Sequence, residues 1–200
     1  MTSALIVFLT KFLAAPGVRW IGCDPTPKQR IFFANHTSNL DTLIVWAALP
    51  KRVRKVTRPV AGQDYWLASS LRRHLAVSVF NAVLIERRKV TAENNPLHLL
   101  LEALQNGSSL ILFPEGGRHE GPEPGAFKSG LYHVARKRRD IEMVPVFIDN
   151  ANRILPKGEI LPVPLLSSIT FGAPIRLNDA ESKPAFLDRA RNAVSSLRNQ

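Results

Sequence analysis

The residues best suited to chemistry stand together at Asn35-His36-Thr37-Ser38-Asn39-Leu40-Asp41. On one continuous helix of about 3.6 residues per turn, positions five apart point roughly 140° away from each other. His36 is therefore expected in a turn, with Asp41 in the first turn of the helix that follows. From there the carboxylate can accept the imidazole Nδ1 hydrogen and leave Nε2 as a general base. This is the His–Asp half of a catalytic triad without its serine. Ser38-Asn39-Leu40-Asp41 also fits a capping box, in which Asp41 serves the helix end, and the two roles are compatible.

A second group is Phe113-Pro114-Glu115-Gly116-Gly117-Arg118. Paired glycines allow close backbone approach and free amide donors, and a guanidinium holds phosphate or carboxylate through two parallel hydrogen bonds. Glu115 offers a fixed acceptor for a substrate hydroxyl. The plain alternative is a surface turn with a solvated Glu115 and Arg118 pair, which contributes under ~1 kcal/mol. Leu84-Ile85-Glu86-Arg87-Arg88-Lys89 places cations just beyond an expected strand. Val144-Pro145-Val146 puts a proline inside another, which points to a sheet edge or a bulge. Lys128 reads as an ordinary exposed lysine ahead of a phosphate contact. His74, His98 and His133 fall within expected helices, and His119 merely adjoins the glycine-rich loop.

The elements that must position these groups alternate. Short β-branched or aromatic runs at 31–34, 53–61, 83–86, 109–113, 143–148 and 168–171 are separated by helical patterns at 40–49, 64–75, 92–105, 127–139 and 183–197. Asn106-Gly107 stops one helix as a C-terminal glycine cap would. The dozen residues after Phe113 are too rich in Gly and Pro for regular structure, and such loops are usually functional. A stretch with Pro156, Pro162 and Pro164 is irregular. This rhythm predicts an α/β single-domain sandwich over residues 1–200, with a mixed, largely parallel sheet flanked by helices and ligand chemistry at strand ends.

Composition sets the bounds. At 200 residues with 45% apolar and 22% charged side chains, the chain can bury one core and is neither disordered nor of low complexity. One cysteine, Cys23, excludes an intramolecular disulfide framework and a cysteine metal cluster, and fits a reducing cytosol. The net charge of +11 is lopsided, +9 in the first hundred residues and +2 in the second, and favours an anionic partner. No nucleic-acid motif accompanies the basic runs, which argues against nucleic acid and for anionic lipid. Ala4 to Ala15 is well short of the ~20 apolar residues of a membrane span and lacks the basic start of a signal peptide. Leu5, Phe8, Leu9, Phe12 and Leu13 recur at helical spacing there, so the segment is an amphipathic helix that packs on the domain or lies in the membrane interface.

In order and separation the four blocks resemble the glycerolipid acyltransferase family typified by 1-acylglycerol-3-phosphate acyltransferases. Its signatures look like Asn-His-x-Ser-x-x-Asp, Ile-x-Arg, Phe-Pro-Glu-Gly-Thr-Arg and Val-Pro-Val. Here they stand as Asn35 to Asp41, Ile85-Glu86-Arg87, Phe113 to Arg118 and Val144 to Val146, with Gly117 where threonine is usual. The resemblance implies that His36 is the general base and that Asp41 orients it. It implies further that Arg87 and Arg118 hold the acceptor's phosphate and that Glu115, Gly116 and Gly117 shape the acceptor pocket. The implied reaction moves a fatty acyl group from acyl-CoA or acyl-carrier protein to a lyso-phospholipid hydroxyl, typically 1-acylglycerol-3-phosphate. It needs no metal and no cofactor beyond the thioester, and takes place at the inner face of the cell membrane. The competing readings are a non-catalytic anionic-lipid or nucleic-acid binder and a hydrolase using the same His/Asp pair.

Overall fold

The computed structural model describes residues 7–8, 10, 17–38, 40–87, 89–91, 94–119, 121, 123–150 and 167–199. Of the amphipathic segment Ala4 to Ala15 only Val7, Phe8 and Thr10 are described, all helical, and the stretch with Pro156, Pro162 and Pro164 lies outside the described residues.

Seven strands form one sheet: β1 (Gly17–Trp20), β2 (Arg30–Ala34), β3 (Thr57–Gly62), β4 (Val83–Ile85), β5 (Ser109–Leu112), β6 (Glu142–Asp149) and β7 (Ser168–Phe171), in the order β1-β7-β6-β2-β5-β3-β4. The five strands from β6 to β4 are mutually parallel, while β7 runs antiparallel to β6 and carries β1 beside it. The sheet is thus mixed and largely parallel, as the alternation of elements predicts.

Central position follows from composition. All five residues of β2 are buried, and its side chains alternate between the two faces of the sheet. Ile31 and Phe33 join one apolar cluster, Phe32 and Ala34 the other. Helices α1 (Asp41–Ala48), α2 (Lys51–Lys55), α3 (Gln63–Trp66) and α4 (Ser70–His74) precede β4 in the chain. Ile44, Val53 and Trp66 cover the second cluster, together with Leu75 and Val79 of a π turn continuing α4. On the opposite face, α5 (Pro96–Gln105), α6 (Gly130–Lys137) and α7 (Lys183–Ser195) bury Leu104, Val134 and Phe186 against the first. At the far end of β2, Arg30 is buried and pairs with Glu142 of β6 at 3.1 Å; hydrogen bonding from Lys28, then Arg30, holds the Glu142 carboxyl below its usual range.

Three local expectations change in the structure, and at Pro145 the choice between edge and bulge resolves to the bulge. The run 53–61 begins as helix, because Pro50 opens α2 and only Val53 of Lys51–Lys55 is buried; the strand starts at Thr57. The single helix expected over 64–75 is broken, since the Ser69 hydroxyl accepts the Arg72 N–H and starts a new helix. The helix expected from Phe127 starts at Gly130, because the Lys128 N–H donates to the Pro114 carbonyl and ties that turn to the preceding loop. Pro145 sits not at an edge but between β2 and β7. Val146 pairs with Phe171 while Met143 bridges Ile175, so residues 172–174 oppose 144–145 in a bulge, and the missing N–H faces that bulge.

Candidate active site

Because β2, β3, β4 and β5 are parallel, the loops leaving their C-terminal ends gather at one edge of the sheet. Between them lies a cavity of about 740 Å³. His36 from the loop after β2, Arg87 after β4, and Gly116, Gly117 and Arg118 after β5 all line it. The imidazole and the Arg118 guanidinium thus share one space although they are remote in sequence.

His36 stands in the turn before α1, and Asp41 is the first residue of that helix. The His36 Nδ1 lies 2.8 Å from Asp41 Oδ2, which also accepts the Thr37 N–H at 2.7 Å and the Ser38 N–H at 2.8 Å. Asp41 is fully buried, and its helix has no side-chain cap from Leu40. One carboxylate oxygen therefore orders the turn and faces the imidazole at once. Since that oxygen only accepts, Nδ1 carries the hydrogen and Nε2 is the nitrogen with a lone pair. The ring also stacks on Phe113, centroids 4.5 Å apart, which restricts its rotation.

Glu115 does not line the cavity. Its Oε1 accepts the backbone N–H of His36 at 2.7 Å and its Oε2 that of Gly125 at 2.9 Å, so neither oxygen is turned to a substrate hydroxyl. On the other side of the same residue, the His119 N–H donates to the His36 carbonyl at 2.8 Å. The backbone of His36 is thereby clamped to the β5 loop on both sides. Asn35 adds a third fixing point that sequence reasoning overlooked. Its side-chain amide donates to the Ile148 carbonyl at 2.9 Å and accepts the Ile148 N–H at 2.8 Å, replacing a ladder rung where β2 leaves the sheet. Asn35→Ala would strand both buried groups, and we expect it to lower stability by about 2 kcal/mol or more. Urea unfolding at unchanged m-value reads this directly, and an unshifted midpoint would contradict it.

The cations differ in their engagement. Arg87 grips Asp64 through Nε at 3.1 Å and Nη2 at 2.7 Å. Gly62 makes room for it, since a Cβ there would collide with the guanidinium. Arg118 is exposed and meets no carboxylate among the described residues. Lys128, read from sequence as an ordinary surface residue, lines the same cavity, and its ammonium group lies over Gly116, where a Cβ would meet Nζ at 2.6 Å. Gly116 has φ +72°, so glycine is favoured there on two counts. At Gly117 a Cβ would meet nothing. The remaining wall is apolar, with Val60, Trp66, Leu97, Leu100 and Val134 among its side chains. Among the described residues no group of three His, Cys, Asp or Glu side chains is arranged to hold a metal ion, and no helix is long and apolar enough to cross a membrane.

Comparison with known proteins points the same way. A family model described as Acyltransferase matches residues 18–149. Over 131 residues the chain is 32% identical to a Mycoplasma pneumoniae protein named probable 1-acyl-sn-glycerol-3-phosphate acyltransferase, covering 62% of this chain and 47% of the relative. It is 24% identical over 169 residues to the 1-acyl-sn-glycerol-3-phosphate acyltransferase of Cocos nucifera, covering 81% of this chain and 51% of that one. The chain thus spans about half the length of these relatives. Its fold is shared with the crystal structure of the 1-acyl-sn-glycerophosphate acyltransferase PlsC from Thermotoga maritima, at a TM-score of 0.72 and 20% identity over 96% of this chain and 77% of that one. The family match runs from β1 to the end of β6 and takes in the His36 turn, the β4 and β5 loops and the cavity between them: the chain belongs to the acyltransferase family.

Proposed function

We propose that this protein transfers a fatty acyl group from a thioester, of coenzyme A or acyl carrier protein, to the hydroxyl of a lyso-phospholipid, with 1-acylglycerol-3-phosphate as acceptor and phosphatidate as product. The observation that supports it best is the single cavity with a hydrogen-bonded His/Asp pair, three cations and an apolar wall. In this reading His36 Nε2 takes the proton of the acceptor hydroxyl as its oxygen attacks the thioester carbonyl. Asp41 holds the ring in the required tautomer and stabilises the imidazolium that forms. The tetrahedral intermediate collapses, the C–S bond breaks, and the thiolate leaves with the proton held by the imidazolium. Arg118 and Lys128 bind the acceptor's phosphate, with Arg87 beside them. The thioester is the co-substrate, and the scheme calls for no further cofactor or metal. A lipid acceptor places the enzyme at an anionic membrane surface, as a peripheral protein on the cytoplasmic side, and nucleic acid has no part in it.

Thiol release from an acyl thioester, measured with and without lysophosphatidate, tests the reading. Release that depends on the acceptor and yields phosphatidate is expected. Acceptor-independent release would mean hydrolysis, and no release would mean a binding protein. Arg118→Ala is expected to raise the acceptor KM about ten-fold with a smaller change in kcat, because the lost contact serves ground state and transition state alike. An unchanged KM would remove Arg118 from phosphate binding.

A further inference from the structure

Exposed apolar side chains collect around one short stretch of the chain. Leu67, Leu71 and Val77 are 44%, 67% and 52% exposed, and every residue from Leu67 to His74 is exposed. The stretch from Leu67 to Val79 contains Arg72, Arg73 and His74 and no acidic residue. Large apolar side chains exposed within one short segment, rather than scattered singly over the surface, mark a place that meets something other than water.

Two other basic residues, Arg54 and Arg58, are internally engaged. Arg54 donates to the Ala47 carbonyl at 3.1 Å and lies over the Trp46 ring, while Arg58 Nε donates to the Asn81 carbonyl at 2.6 Å. Neither the Arg72 nor the Arg73 guanidinium meets a carboxylate among the described residues. Instead, the Arg72 guanidinium stands 4.3 Å over the ring of Tyr65, which lines the active-site cavity, as does the exposed Val90. The patch therefore adjoins the wall of the space where the acyl chains must go.

We propose that the segment Leu67 to Val77 is the surface by which the protein docks on an anionic lipid bilayer, with Leu67, Leu71 and Val77 entering the interface and Arg72 and Arg73 meeting lipid phosphates. Charge complementarity selects this occupant: apolar side chains interleaved with guanidiniums that meet no carboxylate among the described residues match the acyl and headgroup layers of such a bilayer. The inference rests on the acyltransferase reading for why a lipid surface should adjoin the cavity. Docking through a segment that flanks the cavity wall would let a lipid acceptor reach the cavity from the bilayer without crossing bulk water.

Flotation of the full chain with vesicles tests it, comparing wild type with Leu71→Glu and, as a second variant at another exposed position, Arg73→Glu. Circular dichroism serves as the folding control. Wild type is expected to bind phosphatidylcholine vesicles containing phosphatidylglycerol and to bind pure phosphatidylcholine about ten-fold less; each variant should lose about ten-fold on the mixed vesicles. Equal binding to both vesicle types, or variants that bind as wild type does, overturns the proposal. If sedimentation shows wild type self-associating, Leu71→Glu monomeric, and vesicle binding unchanged, the patch belongs to a second copy instead. Turnover on a short-chain lyso-phospholipid dispersed as monomers separates the two readings: the variants should retain it, and its absence in wild type would sink the proposed activity whatever the vesicles show.

Discussion

Replacing His36 by alanine is expected to lower turnover about a thousand-fold or more while leaving the protein folded. A positioned general base contributes roughly 10²–10⁴-fold, and among the described residues no other imidazole lines the cavity to substitute for it. The fold should tolerate the change because the side chain is 20% exposed and contributes no anchor to either apolar cluster. Truncation does leave Asp41 without its ring partner. The carboxylate nevertheless keeps the Thr37 and Ser38 N–H groups, so the turn retains two of its three donors. Steady-state kinetics with a thermal melt check both halves; a variant with near-normal kcat would remove His36 as the base.

Glu115→Gln is expected to cost about ten- to a hundred-fold in kcat, although the residue touches no part of the cavity. The charged carboxylate accepts two backbone N–H groups, and hydrogen bonds to ionised groups contribute about 1.5–3 kcal/mol each. A glutamine can accept one of them and must turn its NH₂ toward the other, donor against donor. Whichever side loses, the clamp that joins the His36 peptide to the β5 loop opens, and a small displacement of a base has a large kinetic effect. Acceptor KM should change less than kcat, and Glu115→Asp should restore little because the shorter chain cannot span both donors. A glutamine variant with wild-type kcat would show that the clamp is dispensable.

Much of this site was readable from the chain itself. The spacing of His36 and Asp41 excluded a shared helical face and demanded a turn, and the short apolar runs at 31–34 and 109–113 marked two of the strands whose loops carry the site. Pairings of remote residues were not readable. Glu115 looked like a substrate ligand because nothing local reveals that its loop folds back on the His36 peptide, 79 positions away. Lys128 is exposed, as its sequence context suggests, but its place on the cavity wall beside Gly116 depends on the turn that hydrogen-bonds it to Pro114. Asn35 sat inside the signature block yet carried no spacing cue, since its partner is the backbone of Ile148. Pro145 shows the converse: a proline inside a strand marks an edge or a bulge from local rules alone, and a bulge is what the segment after β7 forms opposite it.

The proposed mechanism makes the acceptor's own hydroxyl the nucleophile, with no acyl group ever resting on the protein. Incubation with a labelled acyl thioester, quenched and read by intact-protein mass and by lipid extraction, tests this most directly. Without acceptor the protein should gain no acyl mass; with lysophosphatidate the label should pass into phosphatidate, one for each thiol released. A stoichiometric acylated protein that later delivers its label to the lipid would contradict the assignment of His36 as a base acting on the acceptor.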